Sequence, residues 1–416
     1  MIDIREERLP VSFFEKNRGK LASTLPDRAI AVIFSGKALV MSEDIDYPFF
    51  ANRNFYYLTG IEQEESIFVF QKEGEVLREV LFLLPSDPEK EKWTGKRLTK
   101  DDAFERSGIS DIRSLEESKV FLEKLLQEDI SDISLEVDVP FGPSKDFERM
   151  VLSHRVKKNI LSLAPILTRF RMKKEPCEIE MIRKAISLTE EAMREMAGDI
   201  ALGVSELELL AAFEYALKKR GCFFEAFPSI VGAGEHTLCL HHSTPSGVLK
   251  EGDILQLDVG GRVSGVCADI SRVFPVSGVF SEKQECLYDI VRTCQEEAIL
   301  AVQPGITIRE LNEITKKAAE RELLKAGILS SGEDISKYYW HNVSHHLGHD
   351  VHDVCVREMP LEKDMVITVE PGIYVPQWGF GMRLEEDILV SENGCENLSF
   401  FFPREKEEIR KWVKEG

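Results

Sequence analysis

Between Trp340 and Asp353 the sequence WHNVSHHLGHDVHD places His341, His345, His346, His349 and His352 within fourteen residues, with Asp350 and Asp353 among them. Imidazole ligates transition metals and titrates nearest neutral pH, so such a segment can do metal or proton chemistry. Short apolar stretches on either side carry acids, Asp258 and Asp269 before it and Glu370 and Glu385 after it. The first pair is separated by the turn-rich Gly260-Gly261-Arg262-Val263-Ser264-Gly265, the second by a stretch running from Gly372 to Gly381. Adjacent antiparallel strands would bring both acids of a pair to one spot.

Four converging carboxylates repel one another unless cations lie between them, which predicts a pair of metal ions. Oxygen ligands with a single imidazole favour manganese-like ions over a thiolate type of zinc site. Two ions about 3.5–4 Å apart can bridge a water, lower its pKa and polarise a carbonyl, which is hydrolysis. Spacing alone does not decide among His341, His345 and His352; His345 is the expected ligand, with His346 and His349 facing elsewhere.

The elements that must position these residues repeat. Gly203-Val204-Ser205-Glu206-Leu207-Glu208-Leu209 and Gly305-Ile306-Thr307-Ile308-Arg309-Glu310-Leu311 share one grammar. Each has a Ser or Thr N-cap with Glu three residues on, a capping box, and an apolar residue before the cap facing Leu, a hydrophobic staple. Gly221 and Gly327 stand where each helix should end. A longer amphipathic helix from Glu178 presents Ile179, Ile182, Ile186, Met193 and Met196 on one face. Downstream, Asp253-Ile254-Leu255-Gln256-Leu257-Asp258-Val259-Gly260 aligns with Met365-Val366-Ile367-Thr368-Val369-Glu370-Pro371-Gly372. Two halves of helix, helix and hairpin, each with an acidic pair, predict a pseudo-two-fold fold with the site on its axis.

The rest of the chain looks structural. Its 416 residues allow two or three domains, and 43% hydrophobic with 30% charged residues is an ordinary globular composition. A formal net charge of -20 argues against nucleic acid or an anionic membrane as partner. MIDIREERLP has no apolar signal core, and the eight cysteines form no CxxC pair, so a cytoplasmic protein with reduced thiols is expected. Residues up to about 170 hold one histidine, His154, and no cysteine. Strands are expected at Ala29–Phe34, Phe55–Leu58, Ile67–Phe70, Val80–Leu84 and Ile133–Val139, and a helix at Leu115–Leu126. The basic segment Arg169–Pro176 reads as a linker, and Arg404–Lys414 as a solvated helix.

The motifs LDVGG…ADISRVF, SHHLGHDVHD, TVEPGIY and GMRLEEDILV resemble those of the pita-bread metallohydrolases, which include methionine aminopeptidase, prolidase, aminopeptidase P and the metal-free creatinase. The resemblance runs over residues 175–416 in the family's order. It implies Asp258, Asp269, His345, Glu370 and Glu385 as metal ligands, with Glu370 also accepting the proton of a bridging water. It implies that His352 and His241 position substrate and stabilise a tetrahedral intermediate, and that His341, Tyr374 and Arg383 line or support the site.

FANRNFYYLTG, from Phe50 to Gly60, and EKWTGKR, from Glu91 to Arg97, resemble the aminopeptidase P N-terminal domain. His346 and Ala51 depart from the residues usual in relatives. The expectation is an α+β chain with a small α/β N-terminal domain (1–172) and a pita-bread catalytic domain (173–416). Its activity would be dinuclear, manganese-dependent removal of the residue before a proline in second position, by a homodimer or homotetramer. Prolidase is the close rival, and a metal-free binding protein on the same scaffold a third reading.

Plainer readings apply elsewhere. A single acid on a strand is usually solvated. His346 and His349 fit local packing or hydrogen bonding to the residues around the site, His236 and His242 the surface, Gly232-Ala233-Gly234 a turn, and Phe55, Tyr56 and Tyr57 the core. Trp93, in a polar loop, could reach an active site, even across a subunit interface.

Overall fold

A computed structural model of the chain describes residues 2–135, 142–153 and 159–415. It divides into two compact units, Leu9–Phe170 and a second formed by Met1–Arg8 with Arg171–Gly416.

The first unit is built on a mixed six-stranded sheet, in the order Asp111–Ser114, Val76–Leu83, Ile67–Glu73, Ala29–Phe34, Asp132–Leu135, Asn159–Ser162. Ala29–Phe34 is fully buried, pairing antiparallel with Ile67–Glu73 and parallel with Asp132–Leu135. Ile30, Val32, Val69, Val80, Phe82 and Ile133 line one core beneath the helix Ser118–Leu125. The strand expected at Ile133–Val139 is seen as Asp132–Leu135; residues 136–139, like His154, lie outside the described residues.

Phe55–Leu58 is not a strand. It lies within the helix Arg53–Thr59, where the Asn52 side chain accepts the N–H groups of Asn54 and Phe55 and Gly60 closes the turn at φ +69°. A four-residue apolar run does not distinguish strand from buried helix, and here the two caps decide. Its aromatic residues are core, as expected. Trp93 sits on the short helix Pro88–Thr94 and is 87% exposed.

The second unit carries the repeat. The helices Pro176–Ala197 and Glu206–Lys218 precede one three-stranded sheet, and Glu282–Ala301 and Ile308–Lys325 precede another. Both expected capping boxes are present, Ser205 with Glu208 and Thr307 with Glu310. Gly221 and Gly327 follow with positive φ. The sheets are Ile270–Pro275/Ile254–Val259/Ile230–Ala233 and Val366–Val369/Glu386–Val390/Cys395–Asn397.

The echo extends further than the sequence indicated. Within each outer strand pair lies a smaller hairpin, Arg262–Val263/Val266–Cys267 in the first and Gly372–Val375/Phe380–Arg383 in the second. This is the mixed α+β, two-domain architecture with a pseudo-two-fold second unit that the resemblance implied.

The segment Arg169–Pro176 contains the boundary between the two units, as the expected linker should, but it is structured. Its first part ends the helix Ala164–Met172, and Arg171 and Lys174 are almost fully buried. Among the described residues, no helix is long and apolar enough to cross a membrane.

Candidate active site

The strand register brings the acids together. Asp258 pairs with Ser271 and Val259 with Ile270, so Asp269, just before that strand, falls diagonally beside Asp258 on the same face. In the other half Val369 pairs with Glu386, which sets Glu370 and Glu385 opposite each other one step beyond the ladder. Val343 to Leu347 runs along the same strand: Leu347 N–H donates to the Val366 carbonyl, Thr368 to His345, and Glu370 to Val343. This places the His345 Nε2 atom 3.4 Å from Asp269 Oδ2 and 3.5 Å from Glu370 Oε1. Its Nδ1–H donates to the His346 carbonyl at 3.1 Å, leaving the Nε2 lone pair toward the carboxylates. Donor atoms of Asp269, His345 and Glu385 all lie within 4.8 Å of one another.

The cluster is electrostatically unbalanced. Burial, then the charges of Asp258 and Asp387, hold the Asp269 carboxyl well above the usual range. Burial, then Asp269 and Glu370, do the same to Glu385. Burial lifts Glu370 to about 7, although His345 and Arg383 pull the other way. Asp258 Oδ1 is buried with no hydrogen-bond partner. A donor set of this kind, acids short of donors and facing one another, fits divalent cations.

A chain of polar contacts leads away from it. Arg383 pairs with Asp258 and donates to Tyr374 Oη at 2.9 Å; Tyr374 Oη is 2.9 Å from His341 Nε2, and His341 Nδ1 donates to the Asn342 carbonyl. Burial, then Arg383, lowers His341 to about 4, and burial lifts Tyr374 to about 12. Gly372 makes room for the chain: a Cβ there would lie 2.5 Å from both His341 Nε2 and Tyr374 Oη. The His352 ring centre is 4.1 Å from that of His345. Burial, then His345 and His241, lower His352 to about 4. His241 is exposed, on the turn after Gly234–Leu238, and acts electrostatically on both His341 and His352.

Other participants are invisible in the spacing. Ser271 accepts from Arg383 Nε and donates to Glu385 Oε2, both at 3.0 Å. Asp387 Oδ2 accepts the Asp269 N–H at 3.1 Å. Both stand two residues beyond a predicted ligand, so period-two alternation could have found them. Asp353, beside His352, accepts from Lys174 at 2.8 Å and from Arg171, all three buried. Burial alone would raise Asp353, but the two cations hold it far below the usual range. His349 is buried 3.2 Å from Glu178, and His346 is buried in a bridge to Ile367.

His236 and His242 are not simple surface residues. Both hydrogen-bond the fully buried Glu206 carboxylate, His236 Nδ1 at 2.7 Å and His242 Nε2 at 3.1 Å. No sequence signal links residues thirty or more positions apart in this way. Gly232-Ala233-Gly234 ends a strand and begins a 3-10 turn, in keeping with the expected turn.

Sequence comparison matches residues 180–392 to metallopeptidase family M24 and residues 14–133 to the aminopeptidase P N-terminal domain. The Xaa-Pro aminopeptidase of Escherichia coli (strain K12) is 30% identical, over 95% of this chain and 96% of its own length. The structure of a variant Escherichia coli aminopeptidase P in complex with substrate matches with TM-score 0.92 at 28% identity, over 98% of this chain and 99% of that one. The E. coli aminopeptidase P structure with the inhibitor Pro-Leu matches with TM-score 0.91 at 28% identity over the same shares. The chain therefore belongs to metallopeptidase family M24 and carries the aminopeptidase P N-terminal domain.

Proposed function

We propose that this chain is a metal-dependent aminopeptidase that releases the first residue of peptides with proline in second position. Asp258, Asp269, His345, Glu370 and Glu385 would hold two divalent cations, manganese by the chemistry of the donors. The observation that carries the reading is the meeting of Asp269, Glu370 and Glu385 at the Nε2 of one histidine, with Asp258 diagonally beside Asp269. With Arg383 paired to Asp258, three of the four acid charges remain without a cation, more than one dication balances. When bound, such cations polarise a carbonyl and lower the pKa of water.

The chain's own groups do the rest. Glu370, the ligand facing His341 and His345, accepts the proton that water gives up. His352 and His241, on the exposed side, present imidazole to the substrate and to the oxyanion that forms. Arg383 holds Asp258 in place and is itself tied through Tyr374 to His341. Proline specificity is supported by the Xaa-Pro relatives and by the Pro-Leu complex, since Pro-Leu is what remains of Xaa-Pro-Leu once its first residue leaves. The proposal includes a homodimer or homotetramer, which sedimentation would read.

The test is hydrolysis of an Xaa-Pro-Yaa tripeptide beside an Xaa-Pro dipeptide, after chelation and return of Mn2+. Release of the first residue from the tripeptide is the expected result. Activity confined to the dipeptide would make the protein a prolidase. Inactivity on both, with metal bound, would leave the fold standing and the substrate assignment wrong.

A further inference from the structure

Glu206 is the first residue of the helix Glu206–Lys218, yet that helix is already capped by Ser205 and Glu208 and does not need its side chain. The carboxylate is instead wholly buried and accepts five donors. Oε1 takes the Ala233 N–H and His236; Oε2 takes His242 and the N–H groups of Ser246 and Gly247, at 2.9 and 2.7 Å. A carboxylate has about four lone-pair sites, so nothing is left over for a cation. Burial would raise this acid, but the backbone donors and the two imidazoles hold it down to about 2. Gly247 permits the approach: a Cβ there would stand 2.7 Å from Glu206 Oε1.

The donors bracket one stretch, 233 to 247, and His241 lies inside it. Its neighbour His242 turns inward to Glu206 while His241 stays exposed. We infer that Glu206 is a positioning residue for His241, pinning both ends of the segment and the adjacent residue so that the imidazole meets substrate in one orientation. The inference rests on the proposed substrate-facing role of His241.

The experiment is a double-mutant cycle on the Mn2+-loaded enzyme with an Xaa-Pro-Yaa tripeptide, using Glu206→Gln, His241→Ala and the pair. Glutamine turns an N–H2 donor toward backbone donors and breaks the pin. Glu206→Gln is expected to lower kcat roughly tenfold or more with KM within about threefold, because a misplaced group costs transition-state binding. In the His241→Ala background it should cost less than about threefold more, since the residue it acts through is gone. Independent, multiplying losses, or an unchanged kcat in Glu206→Gln, would overturn the inference alone. An unchanged kcat in His241→Ala would overturn the role of His241 and the inference with it. Should Glu206→Gln lack a cooperative unfolding transition, His242→Gln, which spares the backbone bonds, takes its place in the cycle with the same readings.

Discussion

Two groups of buried acids lie among histidines in the second unit, and their electrostatics are opposite. Asp269, Glu370 and Glu385 face one another and are held well above or, for Glu370, up to about 7. Glu206 and Asp353 are as deeply buried but are held far down, the first by backbone N–H groups and imidazoles, the second by Lys174 and Arg171. By donor type alone both Asp269/His345/Glu385 and Glu206/His236/His242 could hold a metal. What separates them is supply. One set has more negative charge than Arg383, the cation beside it, can offset; the other has every lone pair used. Burial of an acid marks a metal centre only where the fold withholds the donors that would satisfy it.

That contrast can be broken by substitution. Asp269→Ala or His345→Ala should cut hydrolysis by about a thousandfold or more while circular dichroism and cooperative unfolding are kept, as loss of a catalytic cation demands. Full activity in either would remove the centre from these residues. On the satisfied side, Lys174→Met leaves Asp353 with one of its two buried cations. It should cost about 3–5 kcal/mol in denaturant unfolding, as expected when a buried ion pair loses one member. A change near zero would mean that Asp353 does not depend on Lys174 as its buried counter-ion.

Glu206→Gln should cost less, about 1–3 kcal/mol, the penalty of buried donors left unmatched. Its sign with pH is fixed by the depressed carboxyl. The stabilisation is complete above the ordinary value of 4.5 and fades as pH falls toward about 2. Urea midpoints of wild type and variant should therefore differ most near neutrality and converge in acid; a constant gap would show that the charge is not involved. The smallest signal is a proton count. Raised carboxyls carry protons that cations displace, so Mn2+ binding near pH 6 should release protons and tighten as pH rises. Calorimetry in two buffers of different ionisation enthalpy reads this, and no release would contradict the raised acids.

What the sequence made legible follows from distance along the chain. Capping boxes at Ser205 and Thr307 are complete within four residues, and alternation within LDVG and TVEPG is complete within a strand, so both could be read directly. The matching of Asp253–Gly260 with Met365–Gly372 carried the two-fold plan, because a repeat is a comparison within the sequence itself. Phe55–Leu58 is helical and not the expected strand because its caps, Asn52 and Gly60, outweigh aromatic strand preference. Glu206 with His236 and His242, and Asp353 with Arg171 and Lys174, could not be seen at all. Their partners come from distant segments, and no local pattern records a contact made only by folding.

The centre draws its acids from both halves, and Arg272 of the first half donates to the Glu385 carbonyl of the second. During translation the Asp258 and Asp269 pair therefore emerges long before its complement. Until the ribosome has delivered the strand ending at Val369 and the one beginning at Glu386, that pair has no counterpart with which to share a cation. On the proposed ligand assignment, cation capture would mark the completion of the second half. An ion held there would act as a crosslink between distant stretches of chain, and opening either half would require giving it up.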